Sequence, residues 1–318
     1  MKILKLALAA LSTAALLAGV LFVTDPQKIR QTYLCWTQAV SLTSCYRGTH
    51  FDFIADINGV QYEGNTGNYL DSQIFYYGAY EKPNLFLLRD IMRVEYGPNG
   101  TFIDIGANTG QHSLFMSRYA REVHAFEPWE PVLKRFRRTV DKNQIKNITI
   151  HPYGLGDENA KKPFFKPADG TLLTGSFVEG FKPGNSPEAG LEIQKGDDAF
   201  EKSHIKAVSV IKMDIEGYEK LALLGLRATL NRHRPVVIFE LTIDLKIPVS
   251  IKSKQDLTAL FPEKYEFLVI SKKSDPATGA YFLEPIDTEV RFDQSEQHDI
   301  VAYPLERKDS IPRQGPKR

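Results

Sequence analysis

The sequence predicts an α/β fold with a mostly parallel sheet, and three observations carry the prediction. Thr101-Phe102-Ile103-Asp104-Ile105 is a short apolar strand that breaks into a glycine turn, and a helix-compatible stretch, Gln111 to Tyr119, follows it. Further apolar runs recur downstream, separated by amphipathic helical patterns, as βαβ units require. Most of these runs end in carboxylates (Asp104, Glu127, Asp214 with Glu216, and Glu240), where open α/β sheets hold their ligands.

The turn restricts what could bind. Its pattern is Gly106-x-Asn108-x-Gly110, not the G-x-G-x-x-G of a dinucleotide fingerprint, and no Gly-Lys-Ser/Thr of a P-loop follows. The glycines permit left-handed backbone and close ligand approach, and the turn is expected to offer free N–H groups. An ionised Asp104 beside it would repel a diphosphate. A cationic cofactor without phosphate suits the site better, and S-adenosylmethionine, with its ammonium and sulfonium, is one.

In chain order, Lys2 and Lys5 precede an uncharged run from Leu6 to Val23. At about 27 Å as a helix, it is near the lower limit for crossing a bilayer. Residues 1–24 are therefore expected to be a membrane anchor, with a cleaved signal peptide as the alternative. Residues 25–80 form an approach region containing the only cysteines, Cys35 and Cys45, which could pair in an oxidising compartment or remain thiols. The main domain follows at 81–305, and a basic, disordered tail is expected at 306–318.

Within the domain, Leu85, Leu88, Ile91 and Met92 have helical spacing, and Glu122 to Phe126 reads as the second strand. Glu127 stands about 20 residues past Asp104, where a carboxylate can accept both ribose hydroxyls. A helix over Pro131 to Asn143 and a strand over Asn147 to Pro152 lead to Asp157, which could accept from an adenine amino group or cap a turn. Periodicity then disappears over residues 158–206, which read as hairpins that shape a substrate site. Ala207 to Met213 is a fourth strand, Tyr218 to Leu230 a helix, and Pro235 to Phe239 a fifth strand. Lys254 to Leu260 suits a helix, while Tyr265 to Ser271 and Asp299 to Tyr303 look like the last strands.

Three blocks together resemble a known family. Phe102-Ile103-Asp104-Ile105-Gly106-Ala107-Asn108-Thr109-Gly110, His124-Ala125-Phe126-Glu127-Pro128 and Ile211-Lys212-Met213-Asp214-Ile215-Glu216-Gly217-Tyr218-Glu219 are similar to the signature blocks of FkbM-type methyltransferases. The resemblance covers roughly Tyr80 to Leu241. It implies a class I methyltransferase (Rossmann-like) fold with a seven-stranded, mostly parallel sheet whose last strand is antiparallel, with helices on both faces. It also implies S-adenosylmethionine as cofactor and O-methylation of a hydroxyl on a sugar, glycan or other small natural product.

On this reading Asp104, Gly106, Ala107, Asn108, Gly110, Glu127 and Asp157 bind the cofactor. Asp214, Glu216 and Glu240 orient or deprotonate the acceptor. Asp214 and Glu240 could share a Mg²⁺ with substrate, but two carboxylates without a clear third ligand make a poor metal site, so no metal is expected. The competing classes are a nicotinamide-dependent oxidoreductase and a membrane-anchored cofactor-binding module without turnover. The net charge of +1 gives no footprint for nucleic acid. The charges flanking the apolar run favour export of the domain, whereas a cofactor made in the cytosol favours a cytosolic domain, which is the expectation adopted here.

Overall fold

The computed structural model describes residues 50–168, 172, 174–244 and 246–315. The expected anchor and both cysteines lie outside the described residues. Among the described residues no helix is long and apolar enough to cross a membrane.

The chain starts with a hairpin, β1 (Asp52–Ile57) and β2 (Val60–Asn65), followed by α1 (Tyr69–Tyr77) and α2 (Lys82–Ile91). Asn58 and Gly59 make the hairpin turn, both with positive φ, as a tight two-residue connection demands. Then come β3 (Thr101–Ile105), α3 (Gln111–Met116), β4 (Glu122–Phe126), α4 (Glu130–Lys142) and β5 (Ile148–His151). A three-stranded side sheet follows, from β6 (Gly154–Gly156), β7 (Ala160–Lys166) and β8 (Ser186–Lys195). The remaining elements are α5 (Gly196–Lys202), β9 (Val210–Met213), α6 (Glu219–Gly225), α7 (Arg227–His233), β10 (Val236–Ile243), α8 (Lys254–Thr258), β11 (Tyr265–Ile270), β12 (Tyr281–Pro285), β13 (Glu296–Pro304) and β14 (Gln314–Gly315).

The main sheet has nine strands in the order β14-β12-β11-β13-β10-β9-β3-β4-β5, not the seven expected. β5, β4, β3, β9 and β10 are parallel, and every pairing from β10 to β14 is antiparallel. The sheet is therefore mixed, and the β12–β14 edge extends it beyond the expected set.

Period-two alternation sends the side chains to two cores. Ile103, Ile105, Ile211, Met213, Val237 and Phe239 pack with α5, α6 and α7 on one face. Phe102, Val210, Val236 and Ile238 pack with α2 and α3 on the other. All five residues of β3 are buried, as a central parallel strand covered on both faces requires.

Three further expectations change. Strand β10 continues to Ile243, so Glu240 lies within the strand and not beyond its end. The helix expected over Tyr218 to Leu230 divides at Leu226 into α6 and α7, where a side chain on Gly225 would meet the Gly156 carbonyl at 1.8 Å. The tail is ordered as far as Gly315: Ile311 is buried, and β14 pairs with Tyr281 and Phe282. The approach region from residue 50 packs on the domain, with Tyr62, Ile74 and Phe75 buried in one cluster with Leu114 and Phe136.

Candidate active site

Strand register assembles the site. In the β3–β9 pair Asp104 stands opposite Lys212, and in the β10–β13 pair Glu240 stands opposite Asp299. These positions share the parity of Phe102, Val210 and Ile238, so their side chains project to the face that carries α2 and α3. A row of ionisable groups therefore crosses the centre of the sheet. Beside it opens a cavity of about 290 Å³, lined by Gly106, Ala107, Asn108, Glu127, Lys212, Asp214, Glu216 and Glu240 among others.

The glycine turn shapes one wall. Gly106 has φ +83°, and a β-carbon there would come within 1.9 Å of the Asp214 carbonyl oxygen. Only glycine lets the turn lie against the end of β9. The turn's N–H groups are not free, contrary to expectation. Gly106 and Ala107 donate to the Phe126 carbonyl, Asn108 to Glu127, Thr109 to the Asn108 side chain and Gly110 to the Ala107 carbonyl. Gly110 is not on the cavity wall; it packs on Phe136, which a β-carbon would meet at 2.1 Å.

Glu127 is held by two backbone donors, Asn108 N–H at 3.0 Å and Trp129 N–H at 2.8 Å, one to each oxygen. Burial nevertheless pushes its pKa up to about 7. Both oxygens keep a lone pair for a further donor. Around it, Phe126, Trp129, Leu155, Phe164, Phe177 and Tyr218 form an apolar and aromatic lining. Part of that lining comes from residues 158–206, so this stretch does shape the cavity. Asp157 does not reach it; the residue is exposed on the strand end past Gly156 and is absent from the lining.

Asp104 lies beneath the cavity and is fully buried. Ser113 Oγ donates to its Oδ2 at 2.6 Å, while Oδ1 has no hydrogen-bond partner. Burial raises its pKa and Lys212 pulls the other way. Asp214, Glu216 and Glu240 do come together on the cavity wall. Lys212 Nζ donates to Asp214 Oδ2 at 2.9 Å, and Gln297 Nε2 donates to Glu240 at 3.0 Å. Burial pushes Glu216 up to about 8, with Asp214 adding to the shift and Lys182 opposing it. Glu240 is raised well above the carboxylate range by burial and by Asp214 and Glu216.

Several site residues are not identified from sequence. Burial works to lower the pKa of Lys212, but Asp214, Glu81 and Asp104 outweigh it and hold the amine charged. Glu219 accepts from the N–H groups of Ile215 and Gly217 at 2.9 and 3.2 Å, which fixes the Asp214–Gly217 turn. From the loop before α2 come Tyr80 and Glu81. Tyr80 exchanges two hydrogen bonds with the Gln111 amide, at 2.6 and 2.9 Å. Glu81 is pushed up to about 8 by burial. His112 lines the cavity with a buried Nε2 that stands 3.5 Å from Glu81 and has no hydrogen-bond partner. Burial and Lys212 together hold its ring neutral.

Asn108 and Glu216 on the cavity wall have positive φ without being glycine, at a cost of roughly 1–2 kcal/mol each. Such strain persists where the surroundings fix it, commonly at ligand sites.

The glycine turn and the carboxylates beside the parallel strands belong to a methyltransferase-like α/β fold. Residues 104–246 match the family model of the methyltransferase FkbM domain. The chain is 31% identical over 148 residues to "Methyltransferase 1" of Beauveria bassiana, covering 41% of this chain and 59% of that relative. Among solved structures it is similar to the methyltransferase FkbM of Methylobacillus flagellatus KT, with 20% identity, TM-score 0.40, and 64% of this chain and 44% of that chain covered. It is also similar to SMU.1697c of Streptococcus mutans, a structure in complex with SAH, with 12% identity, TM-score 0.38, and 69% and 96% covered. The chain thus spans less than two thirds of the curated relative and less than half of the first of these structures.

Proposed function

We propose that the protein is an S-adenosylmethionine-dependent methyltransferase that methylates a hydroxyl of a sugar, glycan or other small natural product. The observation that carries this reading is the charge of the cavity. Asp214, Glu216 and Glu240 share the cavity wall with the buried Lys212, and Asp104 lies buried beneath it. The unpartnered His112 Nε2, on the cavity wall, is a buried polar atom of the kind a ligand satisfies. The matching FkbM domain and the name of the Beauveria bassiana relative support the same class.

When bound, the cofactor supplies an electrophilic methyl group on a sulfonium. The chain would hold its ribose hydroxyls with Glu127 and surround its adenine with Phe126, Trp129, Leu155 and Phe177. The carboxylates offer a complementary field to its charged end. Asp214, Glu216 and Glu240 are then placed to accept an acceptor hydroxyl's proton, and the aromatic lining excludes water. We place the domain on the cytosolic side of a membrane because the cofactor is made there; protease digestion of sealed spheroplasts tests this.

Titration calorimetry tests the cofactor. S-adenosylhomocysteine should bind the full-length chain and NAD should not. Glu127→Ala should weaken binding by about 1.5–3 kcal/mol, the scale of a charge-assisted hydrogen bond, with circular dichroism unchanged. Binding of NAD, or an unaltered affinity in Glu127→Ala, would remove this reading.

A further inference from the structure

The stretch between β7 and β8 brings a second lysine to the cavity. Its path is fixed by the Asp214–Gly217 turn against which it packs. Ser176 Oγ donates to the Glu216 carbonyl at 2.6 Å and accepts from Val178 N–H at 2.9 Å. Phe181 is buried with Val178, Tyr218 and Ile247, and it closes on Gly217, where a β-carbon would meet the ring at 2.7 Å. Lys182 follows directly and lines the cavity. Its Nζ donates to the Gln297 amide oxygen at 3.2 Å and stands 5.1 Å from the centre of the Phe181 ring. Gln297 comes from β13, outside the residues matched by the FkbM domain, and its Nε2 donates to Glu240 at 3.0 Å. That bond turns the carbonyl end of the amide towards the lysine.

Charge separates Lys182 from the rest of the wall. Lys212, the other cation lining the cavity, is paired with Asp214 at 2.9 Å. Glu127 is held by its two backbone donors. In the free protein burial raises Glu216 to about 8 and Glu240 well above the carboxylate range, so both keep protons at neutral pH. Among the described residues no carboxylate forms an ion pair with Lys182, whose one hydrogen-bond acceptor is a neutral amide. The Asp214–Glu240 wall therefore carries an excess positive charge. A cofactor that displaces a proton from it brings a positive charge in exchange, so the excess persists in the loaded site. An ammonium has three donors, and Gln297 takes one. The remaining two suit the oxygens of a carboxylate or a phosphate, which accept charge-assisted hydrogen bonds.

We propose that Lys182, positioned by Gln297, is an oxyanion subsite for the acceptor, so that the molecule methylated carries a carboxylate or phosphate besides its hydroxyl. The proposal rests on the methyltransferase reading and adds the charge of the acceptor to it.

Saturation-transfer NMR on the full-length chain loaded with S-adenosylhomocysteine tests it with two matched pairs of probes. Lactate is compared with lactamide, and glycerol phosphate with glycerol, so each pair differs in the anion. At least one anion should receive saturation on its carbon-bound protons, with an affinity about tenfold or more above that of its uncharged partner, the scale of a charge-assisted hydrogen bond. The pair that responds tells carboxylate from phosphate. Lys182→Gln should abolish the preference while circular dichroism and the S-adenosylhomocysteine affinity stay unchanged. Transfer to neither anion, equal transfer within both pairs, or an unaltered preference in Lys182→Gln would overturn the subsite. Failure of S-adenosylhomocysteine to bind at all would overturn the methyltransferase reading, and the subsite with it.

Discussion

Lys212 shows how much one residue can decide. It is 5% exposed in the middle of β9, with Asp214 2.9 Å away and Asp104 opposite it in register. Replacing it with methionine preserves the bulk and removes the only buried cation among these carboxylates. Breaking a buried pair from one side leaves an uncompensated charge and typically costs about 3–5 kcal/mol. Lys212→Met should therefore lower the unfolding free energy from urea denaturation at pH 7.5 by about that amount, with a lower midpoint, and adding Asp214→Asn should restore part of the loss. Equal midpoints for wild type and Lys212→Met would show that the pair contributes nothing. The lysine is legible in principle, since a charge inside Ile211-Lys212-Met213 has no place in a strand buried on both faces unless it is paired. Its partners are not legible, because Asp104 and Lys212 meet only through the β3–β9 register, across more than 100 residues of chain. For the same reason sequence does not show that Asp104 lies beneath the cavity.

At the scale of elements, the hairpin and α1 are tied to the glycine turn by one buried network. The Tyr62 hydroxyl donates to Asp71 at 2.7 Å and contacts Thr109 Oγ1 at 3.0 Å, while Arg135 from α4 binds both oxygens of Asp71 at 3.0 and 2.7 Å. Tyr62→Phe keeps the ring and removes the hydroxyl, leaving Thr109 and Asp71 each short of a partner. The expected loss is about 1–3 kcal/mol, with weaker S-adenosylhomocysteine binding because Thr109 belongs to the turn. Thermal denaturation and calorimetry on the same variant check both, and a stability loss with unchanged affinity would separate the hairpin from the site. The sequence carried this hairpin's signal: Asn58-Gly59 sits between alternating Phe53-x-Ala55-x-Ile57 and Val60-x-Tyr62. Reading residues 25–80 only as an approach region misses it. The parallel strands were legible because short apolar runs ending in carboxylates announce themselves locally. The β12–β14 edge was not, since β14 is two residues of a polar tail whose order comes from pairing with Tyr281 and Phe282.

At the scale of the whole molecule, the titrating groups pull stability in opposite directions. His124 Nδ1 and His151 Nε2 stand 3.1 Å apart in a buried stack with Phe126, and burial holds His151 down to about 4. A histidine lowered in the folded state takes up its proton first in the unfolded chain, so its effect is to lose stability as pH falls from about 6.5 towards 4. The buried carboxyls act on the other side. Glu127 is raised to about 7, and Glu81 and Glu216 to about 8. A carboxyl raised on folding keeps its proton above the unfolded value, so the stability it contributes is complete below about pH 4.5 and is lost as pH rises through its folded value. Above about pH 6.5 the histidines are neutral in both states, and the carboxyls alone set the slope for the free protein.

That slope predicts how a cationic cofactor should behave. At neutral pH the free cavity retains protons on Glu127 and Glu216, and a positive ligand favours the ionised carboxylates, so binding should release protons. The dissociation constant of S-adenosylmethionine should fall as pH rises from about 6 to 8.5, by up to about tenfold per pH unit for each proton released. Calorimetry in two buffers of different ionisation enthalpy measures the protons directly. The melting-temperature gain from saturating cofactor should widen over the same range, because the free protein loses stability there while the liganded protein does not. Glu127→Gln should remove its share of the proton release while leaving the contribution of Glu216. A dissociation constant independent of pH, with no difference between buffers, would mean that the carboxylates do not face the cofactor's charge, and the acidic wall would then have to be explained by the acceptor alone.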